Sequence, residues 1–392
     1  MRNNWIRFVA GALVSVVLVG VFALTGGMKS GKSTEGLLYQ ASGLHPDGEM
    51  LVVSGQTVTC EEYLRWVDYA CQYISSRIPD VDWNEQVSED GMTYGEYVKV
   101  EAVETVKQYA VIRAWAQQEN VTLSDADKAQ LAAQRQQYVD YYGSEEAYLQ
   151  QLALVGISDE ANNATLEVQY LYRDLYQSFC TPGSSLYPDD KTLSDYADQQ
   201  GYVSLYILKL NGENAETMAA DILERWQAAE DKEAEYALLC DELQLTADGI
   251  VTLASAEGDA LSDAMTALEV GEMASVIDPY GEGSCFVMLR TDTDLAAVAE
   301  TYFDTLFEQK LEAASVVTNS KLYDSLDVGA FFEKLTQLRT EMMEAMQSTD
   351  TPTGTADDTA DDAADDAADD AADDAAGTTG NTAGTTETPP AE

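Results

Sequence analysis

The sequence predicts a mainly α-helical chain that also contains a smaller α+β segment, headed by one membrane-length apolar run and closed by an acidic low-complexity tail. Three observations carry this reading. Between residues 59 and 180 successive helical stretches each show their own start and stop residues. Past Pro182 the pattern changes to strands interspersed with helices. At the two ends, Phe8 to Leu24 is almost wholly apolar, and from Asp350 the chain runs mainly in Asp, Ala, Thr, Gly and Pro.

The apolar run is interrupted only by Gly11, Ser15 and Gly20, with Arg2 and Arg7 ahead of it. It is longer than the roughly 7–15 residues of a signal-peptide core and approaches the ~20 residues that span a bilayer as a helix. Ala23 and Thr25 make a poor cleavage site. A single-pass membrane anchor within residues 1–27 is therefore expected, with secretion after cleavage as the alternative. No cysteine precedes Cys60, which argues against a lipid-anchored N-terminus. Arg2 and Arg7 face Lys29 and Lys32 across the run, so charge alone does not set its orientation. Gly26 to Ser33 (GGMKSGKS) formally matches a phosphate-binding loop. That loop needs a buried strand before it and a helix after it. A membrane-length run stands before this one, so residues 28–47 are read as a basic, flexible linker.

Composition narrows the function. At 45% hydrophobic over 392 residues the chain can fill two modest cores. Its 70 acidic against 21 basic residues repel nucleic acid and anionic headgroups. No nucleic-acid partner is expected. The five cysteines (Cys60, Cys71, Cys180, Cys240, Cys285) form an odd, scattered set. Cys60 and Cys71, on one predicted helix, would stand about 16 Å apart along its axis, too far for a disulfide. They read as small core residues. His45 is the single histidine and is expected to precede the folded region. Histidine-dependent triads and multi-histidine metal sites are thereby excluded from the body, and neither a metal nor a cofactor is expected.

Met50–Val53 and Thr57–Val58 flank a Ser54-Gly55 turn and predict a short hairpin. A helix opens at Thr59 with Glu62 three residues on, a capping pair. Leu64, Val67, Cys71, Ile74 and Ile78 share one face, and Pro79 ends it. Thr93 with Glu96 opens a helix to about Glu119 that buries Val103, Val106, Ala110 and Ala114. Ser124 with Asp127 opens a third, ended by Gly143; Ser144 a fourth, ended by Gly156; Ser158 a fifth, reaching Phe179. Beyond Pro182 the expected order is helix 192–200, strand 202–210, helices 215–229 and 232–243, strand 250–253, helix 261–268 and strand 285–289. Helical signal returns over 295–312 and 328–347. From Ala363 to Asp374 three Ala-Ala-Asp-Asp units follow one another. Such a like-charged run predicts a disordered spacer over residues 348–392.

Two stretches carry a family resemblance. VVSGQTVTCEEY (52–63) combines strand, glycine turn and capped helix, and YYGSEEAYLQQLALVGISDE (141–160) a Gly-ended helix, an acidic helix start and a Gly-apolar-Ser turn. In order, they resemble the N-terminal region of the SurA/PrsA family of bacterial extracytoplasmic foldases. YVSLYILKL (202–210), EYALLCDEL (235–243), LSDAMTALEVGEMASVI (261–277) and SCFVMLRTD (284–292) are similar in turn to a parvulin, the small prolyl-isomerase domain that members of this family carry. The resemblance implies an interrupted architecture: a helical chaperone region over 48–182 packs with helices over 295–347, and a parvulin-like domain over 185–294 is inserted between them. It also implies unfolded or newly exported polypeptides as partners and an extracytoplasmic body tethered through residues 8–24.

The departures bear on chemistry. Parvulins place one histidine on the first strand and one on the last. Here Tyr206 takes the first position, Cys285 or Phe286 the second, and Leu261 a place usually held by an aromatic pocket residue. The loop that would bring a Cys or Asp is shortened to Gln244–Asp248. Lowering the ~18–20 kcal/mol barrier to peptide-bond rotation takes a pocket that holds the twisted amide better than either planar form. The expectation is a degenerate domain that serves as scaffold or peptide surface. The alternatives are a prolyl isomerase with a histidine-free site, and a structural or adhesion protein of the envelope. The 22 tyrosines, among them Tyr63, Tyr69, Tyr73, Tyr97, Tyr109, Tyr138, Tyr141 and Tyr142, suit an amphipathic crevice lining. Taken singly, each is more commonly a side chain packed between core and rim.

Overall fold

Ser54 and Gly55 both take positive φ (48° and 85°), the geometry that closes a two-residue hairpin in register with strand twist. It joins β1 (Glu49–Val53) to β2 (Gln56–Thr59), with Val53 opposite Gln56. The computed structural model describes residues 36–89, 91–256, 259–278 and 283–348. The apolar run at 8–24, the GGMKSGKS motif and the acidic tail lie outside those residues. Among the described residues no helix is long and apolar enough to cross a membrane.

The fold is mostly helical with small sheets. Helices α2 (Cys60–Ser75), α3 (Tyr94–Glu119), α4 (Asp125–Tyr142), α5 (Glu145–Val155) and α6 (Asp159–Cys180) begin at the predicted caps Thr59, Thr93, Ser124, Ser144 and Ser158. Thr93–Glu96 and Ser124–Asp127 close reciprocal capping boxes. At α2 the Glu62 carboxylate pairs with Arg113 at 2.9 Å, while Thr59 still accepts from the Glu62 amide. Val106 and Ala110 are buried as expected, but Val103 and Ala114 are only half-buried, and Ile78 lies beyond the end of α2 and is exposed.

Residues 36–47, read as linker, are instead part of the fold. They form α1 (Gly36–Ser42), and Leu37, Leu38 and Leu44 are buried. The physical reason is a fitted contact: a Cβ on Gly156, which ends α5 at φ 89°, would stand 2.9 Å from Leu38 Cγ. Only glycine satisfies both the left-handed turn and the close approach.

The later helices return to this body. α11 (Leu295–Ala313) packs on α6 and α3, and α13 (Val328–Ser348) on α1 and α3. Between them β7 (Val316–Thr318) joins the free edge of β1, with Leu51 opposite Thr318 and Val53 opposite Val316, and the short α12 (Ser320–Ser325) follows. The resulting core unites Leu51, Val67, Val106, Trp115 and Leu175 with Phe303, Phe331 and Leu335.

Between α6 and α11 stands a four-stranded antiparallel sheet of order β4-β3-β6-β5. Its strands are β3 (Tyr202–Asn211), β4 (Val251–Ala254), β5 (Met273–Ile277) and β6 (Ser284–Thr291). Helices α8 (Ala215–Ala228) and α9 (Lys232–Leu243) cover one face, and α10 (Ala260–Ala267) lies against the other. The preceding α7 (Asp190–Gln200) packs Leu193 and Ala197 on Val298 and Ala299 of α11. Its Tyr196 hydroxyl lies 2.6 Å from Thr305 Oγ1.

Candidate functional site

Strand alternation decides where the four parvulin-like positions fall. Side chains at i and i+2 share a face, and Tyr206 and Cys285 both enter the core beneath α8 and α9. Leu261 and Phe286 pack on the opposite face with Met265 and Met288. The sheet therefore separates the four into two pairs. Within the first pair the register intervenes: the residue opposite Tyr206 is Leu289, whereas Cys285 stands opposite Leu210 and Phe286 opposite Lys209. Tyr206 and Cys285 are thus offset by four residues along the ladder, roughly 13 Å.

The surroundings of the first pair are those of a packed core. Tyr206 lies 4.7 Å from the Tyr236 ring and 6.4 Å from Trp226, centroid to centroid, and is 7% exposed. Burial raises the Tyr206 phenol and the Cys285 thiol above their usual ranges and pushes Tyr236 up to about 12. Near neutral pH these groups stay protonated, so none is poised as a base or a thiolate nucleophile. Tyr206→His is expected to lower stability by about 1–3 kcal/mol, because it places a poorly matched polar ring among aromatics. No gain of X-Pro isomerisation should accompany it. Urea titration and a proline-peptide assay on the same protein check both statements, and a rate gain would restore this position as a working one.

The helical body offers a different surface. Tyr73, Ile74, Arg77 and Ile78 at the end of α2 face Val87, Ser88 and Met92 of the following loop and Tyr94 and Tyr97 of α3. Together they enclose an almost wholly apolar groove of about 300 Å³. The loop is held in place from behind. Trp83 packs edge-to-face on Phe332 of α13 at 5.6 Å, and its carbonyl accepts from Gly95 N at 2.9 Å. Gly329 admits the indole, since a Cβ there would meet Trp83 Cδ1 at 3.1 Å. A small hairpin, with Val87 N donating to Met92 O at 2.8 Å, gives the loop its own backbone bonds. The floor residue Ile74 is buried, whereas Tyr73, Ile78, Val87 and Tyr97 are 37–40% exposed. The groove can take up an apolar side chain from outside and ring it with tyrosines, which bring large contact area at low conformational cost.

The tyrosines named from the sequence divide accordingly. Tyr63 and Tyr109 are buried core residues, and Tyr138 and Tyr142 are half-buried. Tyr73 and Tyr97 line the groove, Tyr69 is exposed one turn before Tyr73, and Tyr141 is exposed elsewhere, on α4. The signal was present in helical phase: Tyr69 and Tyr73 fall off the face that carries Leu64, Val67 and Cys71.

A larger cleft, of about 640 Å³, opens between α1, the start of α2 and the α5–α6 junction. Its charged groups are engaged mainly with the protein itself. Arg113 pairs with Glu62, Glu61 accepts from Ser158 N at 2.6 Å, and Arg65 donates to Thr165 at 2.7 Å. His45, expected to precede the folded region, lies on the rim of this cleft with its ring 6.0 Å from that of Tyr39. Among the described residues no group of three or more His, Cys, Asp or Glu side chains is placed to hold a metal ion.

No family model matches the chain, and no curated protein sequence matches it. Solved structures do. The chain is similar to the foldase protein PrsA of Lactococcus lactis at 13% identity, over 73% of this chain and 98% of that one, with a TM-score of 0.29. PrsA of Streptococcus pneumoniae matches at 18% identity over 65% and 93%, with a TM-score of 0.23. A peptidylprolyl isomerase (PrsA) of Bacillus anthracis matches at 17% identity over 62% and 97%, with a TM-score of 0.20. The structural neighbours are thus the foldases whose resemblance was read from residues 52–63, 141–160 and 202–292.

Proposed function

We propose that this chain is a membrane-tethered, extracytoplasmic chaperone that holds unfolded or newly exported polypeptide on its helical body, with the parvulin-like unit acting as scaffold. The observation that carries the reading is the exposed, tyrosine-ringed groove at the α2–α3 junction. A concave site ringed by aromatic and apolar side chains lets a soluble protein bury a partner's apolar group. The second support is negative in kind: the parvulin-like positions are split by the sheet and packed into its two cores. In this reading residues 36–182 and 295–347 form the working body, the unit at 185–294 is carried on it, and the apolar run at 8–24 is the tether. Tethering raises the effective concentration of the groove where exported chains emerge.

The test is suppression of client aggregation by the full chain, compared with a Tyr73→Ala/Tyr97→Ala variant. Both side chains are 38–40% exposed and lie outside the buried core, so the variant should still fold, as a urea titration checks, while client affinity should fall about tenfold or more. Unchanged suppression by the variant would remove the groove from the mechanism. Absence of suppression by the parent chain across several clients would favour a structural role in the envelope.

A further inference from the structure

The groove sits in an unusually one-sided field. From Tyr73 to Tyr97 the chain carries six carboxylates, Asp80, Asp82, Glu85, Glu89, Asp90 and Glu96, against the single cation Arg77. Asp80, Asp82, Glu85, Glu89 and Glu96 are exposed. Val87 and Ser88 line the groove directly between Glu85 and Glu89 in the chain. On the α3 side the Tyr97 hydroxyl bonds to the half-buried Glu101. The one cation shows what the rings accept. The Arg77 guanidinium lies over Tyr73 with its carbon 3.6 Å from the ring centroid, a close cation–π contact. A tyrosine face in a field of carboxylates favours a second cation for the same electrostatic reason.

We propose that the groove selects polypeptide segments in which an apolar or aromatic anchor is flanked by Lys or Arg, the anchor entering between Tyr73 and Tyr97 and the flanking cations meeting the carboxylates of the 80–89 wall. This rests on the groove being the polypeptide-binding site. It adds a charge preference that an apolar groove alone does not have. Charge complementarity at a rim governs partner choice and salt dependence more than total affinity, and exposed pairs individually contribute little. The expected discrimination is therefore moderate, about tenfold between oppositely flanked peptides at low salt. It should collapse at high salt, where the screening length falls to a few ångströms.

The experiment uses the full chain and three fluorescent peptides that share one Tyr/Leu-containing centre and are flanked by Lys, Gln or Glu. Dissociation constants are read by anisotropy at low and high salt. For the parent chain the Lys-flanked peptide should bind tightest and the Glu-flanked weakest. In an Asp80→Asn/Asp82→Asn/Glu85→Gln/Glu89→Gln variant the three affinities should fall within about twofold of one another. Equal affinities in the parent chain, or an ordering that survives in the variant, overturn the charge preference and leave the groove reading standing. Failure to bind any of the peptides, or binding untouched by Tyr73→Ala/Tyr97→Ala, overturns the groove reading and the preference with it.

Discussion

Replacing Arg339 by Met is expected to destabilise the helical body by about 3–5 kcal/mol, the range found when one member of a buried ion pair is removed. Arg339 of α13 grips Asp68 of α2 through two bonds, Nη1 to Oδ1 at 2.9 Å and Nη2 to Oδ2 at 2.6 Å. The Asp68 side chain is only 4% exposed. The same guanidinium donates to the carbonyls of Leu154 at 2.8 Å and Val155 at 2.9 Å, the last turn of α5, where a cation suits the helix dipole. One side chain thus joins three helices. Among the described residues its loss leaves the buried carboxylate bonded only to Gln72 Nε2, at 2.9 Å. Asp68→Leu combined with Arg339→Met should recover part of the loss, because removing both charges leaves no orphan. Urea unfolding followed by helical circular dichroism measures both variants. A cost below about 1 kcal/mol for the single change would mean that α13 is held by apolar contacts alone.

That pairing also marks the boundary of what the amino-acid sequence made legible. The starts of α2 to α6 could be read because a cap is a local bond: Ser158 Oγ accepts from Ala161 N, three residues away. The same holds for the glycine ends at Gly143 and Gly156. What escaped was set by partners far along the chain. α1 is a helix in a stretch read as linker, because its leucines pack on the α5–α6 junction and α13. β5 and β7 are edge strands of five and three residues. Each is stabilised by pairing with β6 or β1 rather than by a pattern of its own. The candidate site divides on the same line. That Tyr206 and either Cys285 or Phe286 would lie on strands was readable; which of the two shares a core with Tyr206, and that Leu289 stands opposite it, depends on the β3–β6 register. The groove needed helical phase, which the sequence carries, and the docking of Trp83 on Phe332, which it does not.

Trp115→Ala is expected to cost a further 3–5 kcal/mol-class loss of stability, about the range for emptying a buried aromatic site, whereas Trp115→Phe should cost far less. Trp115 of α3 is 1% exposed and stacks on Phe303 of α11 at 5.0 Å and 21°. Phe307 lies parallel at 6.3 Å, and Phe179 of α6 is tilted at 5.1 Å. This cluster is where the helices before the β3–β6 sheet meet the helix after it. A cavity here would loosen α11 from α3 and α6, and cleavage by added protease should rise near α11 before global unfolding. The phenylalanine variant separates stacking from polarity. Among the described residues the buried Trp115 Nε1–H has no hydrogen-bond partner, a condition that costs about 1–3 kcal/mol. Phenylalanine keeps much of the ring contact and removes that donor, so the smaller packing area is offset and the net change should stay within about 1 kcal/mol. If phenylalanine proved as costly as alanine, the indole N–H would have to be engaged in solution, and the cluster would be held by a polar bond as well as by stacking.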